Sequence, residues 1–185
     1  LPILHEDQER AVELAQHAIN VFPDAFLQAH TLGMARKLGL QEIGEQDTAL
    51  VEDLWQLLAE HKLDFTLSFR RLADLALSGG GGANNIGELF EFPNALQPWL
   101  EHWRERVTLD FLSPVDRQTL MYSANPVFIP RNHLVEAAIA AATDRNDLSV
   151  FADLMDVRVQ PHKCRPQLAL YATPPRPEEV VRQTF

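Results

Sequence analysis

A single cysteine, Cys164, stands in 185 residues. It excludes an internal disulfide framework and a cysteine-rich zinc centre, and it fits a reducing, intracellular setting. Long apolar runs are also missing: nothing approaches the roughly 20 residues that cross a bilayer, so no membrane partner is expected. The opening Leu1-Pro2-Ile3-Leu4-His5-Glu6 has no basic flank followed by an apolar stretch and is not a signal peptide. It lacks an initiator Met, which points to processing or to a piece of a longer protein. Bases are scarce, 16 Lys and Arg against 26 Asp and Glu for a formal charge of −10. That balance argues against a nucleic-acid partner, because phosphate contacts need clustered Lys and Arg. The expected location is the cytoplasm.

Hydrophobic residues at 46% and charged residues at 23% are ordinary for a folded domain. The length allows one domain with a real core, or two small ones. The acidity is uneven: residues 1–77 carry −7 and residues 78–124 carry −3, while the remainder balances. Within that remainder, 157–177 holds Arg158, Lys163, Arg165 and Arg176 and no acid. A basic tail docked on an acidic body and a solvated tail are both compatible with this, since exposed ion pairs contribute only about 0–1 kcal/mol each.

Apolar spacing predicts helices nearly throughout. The first covers about 6–20, with Leu14, Ala18, Ile19 and Phe22 recurring. Pro23 suits the first turn of a second helix that buries Phe26, Leu27 and Met34 and ends at Gly39 as a left-handed cap. Asp47 is placed to cap a third, with Leu50, Val51, Leu54, Leu57 and Leu58 on one face. Residues 63–70 alternate like a strand, but the period turns helical through Leu72 and Leu75 and no partner strand lies nearby, so helix is the reading. Beyond the glycine run, Pro93 or Pro98 opens a helix carrying Leu96, Trp99, Leu100, Trp103 and Val107. Ser113-Pro114 starts another that includes Leu120 and Met121. A clear helix over 131–142 has Leu134, Val135, Ala138 and Ile139 as its core face, and Asn146 or Asp147 caps one with Val150, Phe151, Leu154 and Met155. The fold class is therefore all-α, about seven to eight packed helices, in one domain of four stretches: a helical group 1–77, a flexible Gly-rich loop 78–87, a helical group 88–156 and an extended Pro-rich tail 157–185.

Little chemistry is announced. Gly79–Gly82 lacks the Lys and the Ser or Thr that a phosphate loop needs directly after its glycines, and a linker is the better reading. The seven histidines show no i, i+4 pair, and His162 with Cys164 would need two further ligands, so no metal site is expected. Lys163 and Arg165 beside Cys164 should lower its thiol pKa, which makes Cys164 a candidate redox thiol. Trp99 and Trp103 at i, i+4 suit the packing of helices. The segment Asn125-Pro126-Val127-Phe128-Ile129-Pro130-Arg131-Asn132 is more specific. Asn125 can cap the turn at Pro126, Asn132 can bond loop carbonyls, and Arg131 offers up to five donors to a neighbouring loop or carboxylate. The plainer reading of the same residues is a well-capped helix start.

This segment and the Ala-rich helix after it, through Ala142, resemble the selenoprotein O family, kinase-like enzymes that adenylylate proteins. Asp144 to Met155 and Tyr171-Ala172-Thr173-Pro174-Pro175 are similar to further family segments. So are Met34-Ala35-Arg36-Lys37-Leu38-Gly39-Leu40 and Asp64-Phe65-Thr66-Leu67-Ser68-Phe69-Arg70-Arg71-Leu72, in the right order. The resemblance implies a parent that transfers AMP from ATP to Ser, Thr or Tyr hydroxyls with Mg or Mn. The family's nucleotide and metal ligands belong to a kinase-like portion that precedes this region, and no position here matches them. No catalytic, cofactor-binding or metal-binding residue is therefore carried over; Asn125, Pro126, Arg131 and Asn132 are structural motif candidates only. Two departures stand out. Pro130 replaces an aliphatic residue, and the chain stops at Phe185 where relatives continue to a cysteine or selenocysteine. The expected partners are the kinase-like domain of the same protein and the parent's protein substrates, with a homodimer as a further expectation for this part alone. Two rivals remain: a stand-alone helical protein-interaction module and, more distantly, a self-contained metalloenzyme.

Overall fold

A computed structural model describes residues 3–77 and 92–180. Among the described residues there are seven α-helices, several 3-10 turns and no strand, the all-α architecture that the apolar periodicity predicts. The glycine run and its loop lie outside the described residues.

The first helix, α1 (Gln8–Leu38), is one 31-residue element, not two. Asp7 caps it by accepting the Arg10 N–H, and Pro23 sits inside it. A proline there removes one backbone donor, so the helix loses the bond to the carbonyl of Ile19. Because 16–30 are exposed throughout, water can satisfy that carbonyl, which is why Pro23 is tolerated mid-helix. The expectation that Phe26 and Leu27 are buried fails with the expected break: α1 joins the main core cluster near its end, through Met34, Ala35 and Leu38, and near its start only Ala11 is buried. Gly39 then ends the helix in the left-handed region, φ 71°, its N–H reaching the carbonyls of Ala35 and Arg36.

Helices α2 (Thr48–Glu60), α3 (Phe65–Leu75), α4 (Gln97–Thr108) and α5 (Pro114–Ala124) gather around that end. Leu50, Leu54 and Leu58, spaced four apart, form the buried face of α2; Phe69, Leu72 and Ala73 serve α3. Asp64 and Ser113 cap α3 and α5. Asp47 does not cap α2 with its side chain; that carboxylate turns instead to the Gly44 N–H and to Arg106. Trp99, Leu100 and Trp103 bring α4 into the same core. Each Trp indole N–H also leaves its own helix: Trp99 donates to the carbonyl of Leu50 at 2.8 Å and Trp103 to that of Leu38 at 2.9 Å. Burial of a large aromatic is thereby achieved without orphaning its donor.

The last two helices, α6 (Asn132–Arg145) and α7 (Ser149–Val159), pair as a hairpin. Asn146 is the left-handed residue that ends α6, and Asp147 accepts the Ser149 N–H to start α7. Of the two residues expected to cap α7, Asn146 instead ends α6, and the N-cap position falls on Leu148 with Asp147 bonding the first helical N–H; the buried faces also differ from those expected. Ala138, Ala141, Leu154 and Val157 are buried, whereas Ile139, Phe151 and Met155 are exposed. The hairpin joins the body through a second cluster of Leu67, Val127, Phe128, Val157 and Ala172. After α7 the chain forms 3-10 turns over Pro166–Ala172 and Pro177–Glu179. The Pro161 carbonyl accepts the N–H groups of both Val127 and Phe128. Of the bases in this tail, Arg165 turns to Asp156 and Arg176 to Glu178 and Glu179, acids close by in sequence, not the acidic body.

Gly39 provides a direct test of this packing. A Cβ at this position would lie 2.6 Å from Met121 Sδ and 2.7 Å from Arg117 Cγ, at a φ that L side chains rarely adopt. Gly39→Ala is expected to cost about 1–3 kcal/mol in urea denaturation; an unchanged midpoint would show that α1 does not end in this conformation.

Candidate functional site

A helix ends with four carbonyls that its own backbone cannot satisfy. At the end of α1, three consecutive carbonyls are taken by side chains from three places. Asn125 Nδ2 donates to Lys37 O at 3.0 Å, Trp103 Nε1 to Leu38 O, and Arg117 Nη1 to Gly39 O. Arg117 also donates to the carbonyls of Val107 and Leu112, so one buried guanidinium ties α1, α4 and the α4–α5 connection. A cation facing the C-terminal end of a helix is favoured by the helix dipole as well.

Around this node lie further buried charges. Lys37 donates to Asn125 Oδ1 at 3.1 Å and to the Ala124 carbonyl, and its ammonium lies 5.2 Å from the Phe69 ring centroid. Burial pushes its pKa down. Arg70, 3% exposed, donates to the Asn125 carbonyl at 3.0 Å and lies 4.0 Å over the Tyr122 ring. The Tyr122 hydroxyl donates in turn to Asp74. Burial raises the Asp74 carboxyl, outweighing the Tyr122 hydrogen bond and the nearby Arg70 and Arg71.

Arg131 meets a carboxylate, as its donor count suggests. It forks onto Asp64, Nη1 to Oδ2 at 2.7 Å and Nη2 to Oδ1 at 3.1 Å. Asp64 also accepts the Leu67 N–H that starts α3. Asn125 acts at longer range than the turn at Pro126: its side chain grips the end of α1, and its backbone N–H closes α5 on Met121. Pro126 is half-buried between these contacts. Asn132 opens α6, is exposed, and makes no side-chain hydrogen bond to loop carbonyls among the described residues. On the far side, Arg106 binds Asp47 at 2.5 Å and Asp110 at 2.9 Å. Burial works to raise Asp47, but the hydrogen bonds from Arg106 and the Gly44 N–H prevail and hold it below the ordinary carboxylate value.

The residues beside Cys164 do not act on it as their charges suggest. Burial raises the thiol pKa, with Arg70 opposing and Asp74 adding to the rise. Arg165 is committed to the Asp156 and Val157 carbonyls and to the Phe128 ring. Cys164 packs against the second apolar cluster, which favours the neutral thiol. His162 and Cys164 gain no third ligand: among the described residues no three His, Cys, Asp or Glu side chains are placed to hold a metal ion.

Several open grooves run over the described residues. One of about 600 Å³ passes Asp47, His102, Arg104, Glu105 and Arg106, one of about 500 Å³ passes Leu75, Trp103, Val107, Asp110 and Arg117, and one of about 370 Å³ passes Asp53, Glu60, Trp99 and His102. A fourth, about 350 Å³ and apolar, lies between α6 and α7. The charged groups of this site bind the chain's own carbonyls and carboxylates. Sequence reading missed Lys37, Asp64, Arg70 and Arg117 as members of the site; the available signal was charge set between apolar residues, as in Leu67-Ser68-Phe69-Arg70-Arg71-Leu72, which a surface position produces equally well.

The fold and these contacts define an all-helical domain tied together by internal ion pairs and hydrogen bonds, and comparison with known proteins places it in a family. A family model described as protein adenylyltransferase SelO matches residues 6–158, and the chain belongs to that family. A protein nucleotidyltransferase YdiU of Bradyrhizobium diazoefficiens is 42% identical over 185 residues, covering all of this chain and 37% of the relative. The protein of the same description from Rhizobium meliloti is 47% identical over 178 residues, 96% of this chain and 36% of its own. The chain thus spans a little over a third of the length of the curated relatives that it matches. No helix among the described residues is long and apolar enough to cross a membrane.

Two measurements probe the charge pairs. Arg131→Ala leaves Asp64 without its fork and should cost about 3 kcal/mol, and Arg131→Lys, which keeps the charge but not the two-pronged geometry, about 1–2 kcal/mol. Urea midpoints equal to the parent's for both would show that the pair contributes nothing. For Asp47 the folded-state pKa lies below the unfolded one, so its contribution is present above about pH 4 and lost as pH falls through the folded value. Thermal melts from about pH 6 to about pH 2 should therefore show a shallower acid limb for Asp47→Asn than for the parent; parallel limbs would count against the Arg106 pairing.

Proposed function

We propose that this chain is the supporting helical part of a protein nucleotidyltransferase. The whole protein transfers AMP from ATP to Ser, Thr or Tyr hydroxyls of protein substrates, with Mg or Mn, through a kinase-like portion that lies outside these 185 residues. The observation that carries this reading is the commitment of the buried and half-buried cations: Lys37, Arg70, Arg106, Arg117 and Arg131 all direct donors at the chain's own carbonyls or carboxylates. Binding a triphosphate needs free cationic donors and converging oxygen ligands for the metal. The described residues do not fit such a site, and no step of the reaction is assigned to them. Family membership and the nucleotidyltransferase description of relatives nearly three times as long support placing the chemistry in the remainder.

In this reading the chain contributes rigidity. Phosphoryl-group chemistry depends on positioning and electrostatic stabilisation, and both require a body that does not yield when substrate binds. The network at the end of α1 provides that by connecting α1, α3, α4 and α5 with hydrogen bonds that are largely removed from water. Incubation with labelled ATP, Mg or Mn and a protein acceptor tests the division of labour. The whole protein should label the acceptor and the 185-residue chain alone should not; robust, metal-dependent labelling by the 185-residue chain would overturn it.

A further inference from the structure

Residues 16–30 of α1 are exposed without exception, a stretch of about 22 Å at 1.5 Å per residue. They are not polar all round. At 100° per residue, Val12, Ile19, Phe22 and Phe26 fall within an arc of roughly 80°, and they are 49%, 64%, 65% and 57% exposed. Ala15, Ala29 and Gly33 fall on the same side. The facing side carries Glu13, His17, Asn20 and Asp24. Phe22 stacks on Phe26 at 5.8 Å and Phe26 on His30 at 6.0 Å, so the stripe is continuous. It is also not the face that the helix uses further along: Met34, Ala35 and Leu38, which enter the core, are rotated from it by roughly 120°. One helix therefore has two apolar faces at two heights. The lower one is covered by α3, α4 and α5, and the upper one by nothing in the described residues.

We infer that the upper face is a docking surface for the preceding, kinase-like portion of the same protein, with Ile19, Phe22 and Phe26 as its anchors; this rests on the reading given under the proposed function. The share of length selects that occupant: this chain matches only 37% of the length of a relative that covers all of it, so in that relative the matching part is joined to a larger remainder. A helix of this length is held by burial of an amphipathic face far more than by intrinsic propensity, and a contiguous aromatic stripe of this kind marks a contact surface. The helix is then a shared beam: its end is clamped by Asn125, Trp103 and Arg117, and its upper length is covered by the catalytic portion.

Hydrogen–deuterium exchange and thermal melting of the whole protein test this. Amides of residues 16–30 should exchange about two orders of magnitude more slowly in the whole protein than in the 185-residue chain. The double substitution Phe22→Glu, Phe26→Glu should lower the Tm of the whole protein by about 4 °C or more and accelerate exchange in this segment. The milder Phe22→Ala, Phe26→Ala pair, which keeps helix propensity, should act in the same direction, whereas His17→Glu on the polar side should leave both readouts unchanged. Equal exchange in the two chains, or equal effects on both sides of the helix, would overturn the inference. So would a whole protein that is a dimer and becomes monomeric on Phe22→Glu, since the occupant is then a second copy. Failure of the activity reading is separable: protection of 16–30 without AMP transfer counts against the chemistry alone, and AMP transfer without protection counts against the docking alone.

Discussion

The structure depends on how α1 stops. Its last turn exposes carbonyls at Lys37, Leu38 and Gly39, and each accepts a hydrogen bond from a different side chain: Asn125, Trp103 and Arg117. None of these donors is near α1 in sequence. Because the carbonyls are buried, leaving one unpaired would cost about 1–3 kcal/mol, so the three elements that supply the donors are held in register by the same small volume. The left-handed turn at Gly39 makes this possible by directing the next carbonyl toward Arg117.

That node also explains the distribution of charge in the interior. Buried ions are expensive unless they are paired and fully hydrogen-bonded. Arg70 gives its protons to backbone carbonyls and its π-face to Tyr122, and Lys37 lies between Asn125 and two phenylalanine rings. Asp74, paired with Tyr122 and near two arginines, still has a raised pKa because burial outweighs them. The interior thus carries charge that links helices already packed on a shared apolar core. The same groups are thereby committed to the chain's own carbonyls, carboxylates and aromatic rings.

Attachment of the α6–α7 hairpin follows a related principle. Asp64 does two jobs, starting α3 through the Leu67 N–H and receiving the Arg131 fork. The start of one helix and the start of another, 67 residues apart, therefore share a carboxylate. The Pro161 carbonyl, binding the N–H groups of Val127 and Phe128, fastens the return of the chain over the same region. The tail after α7 is consequently packed at Ala172 and not merely draped.

Helix type, most helix boundaries and the caps at Gly39 and Ser113 were legible from the sequence, because capping and apolar spacing are local properties that a few consecutive residues decide. The resemblance segments containing Lys37, Gly39, Asp64, Arg70 and Arg131 supply part of the buried network, and Trp103, Arg117 and Tyr122 from outside them supply the rest; spacing alone gave no reason to connect them. Other features were out of reach of any local reading. Pro23 signals a helix start and an exposed mid-helix position equally well. Phe26, Ile139 and Phe151 look like core residues until the neighbouring elements are in place, and the bases beside Cys164 lower a thiol only if they face it. Sequence determined which residues are helical and where each helix begins or ends. Tertiary structure alone decided which apolar faces are covered and which charges meet, because burial and pairing are set by residues distant in the chain.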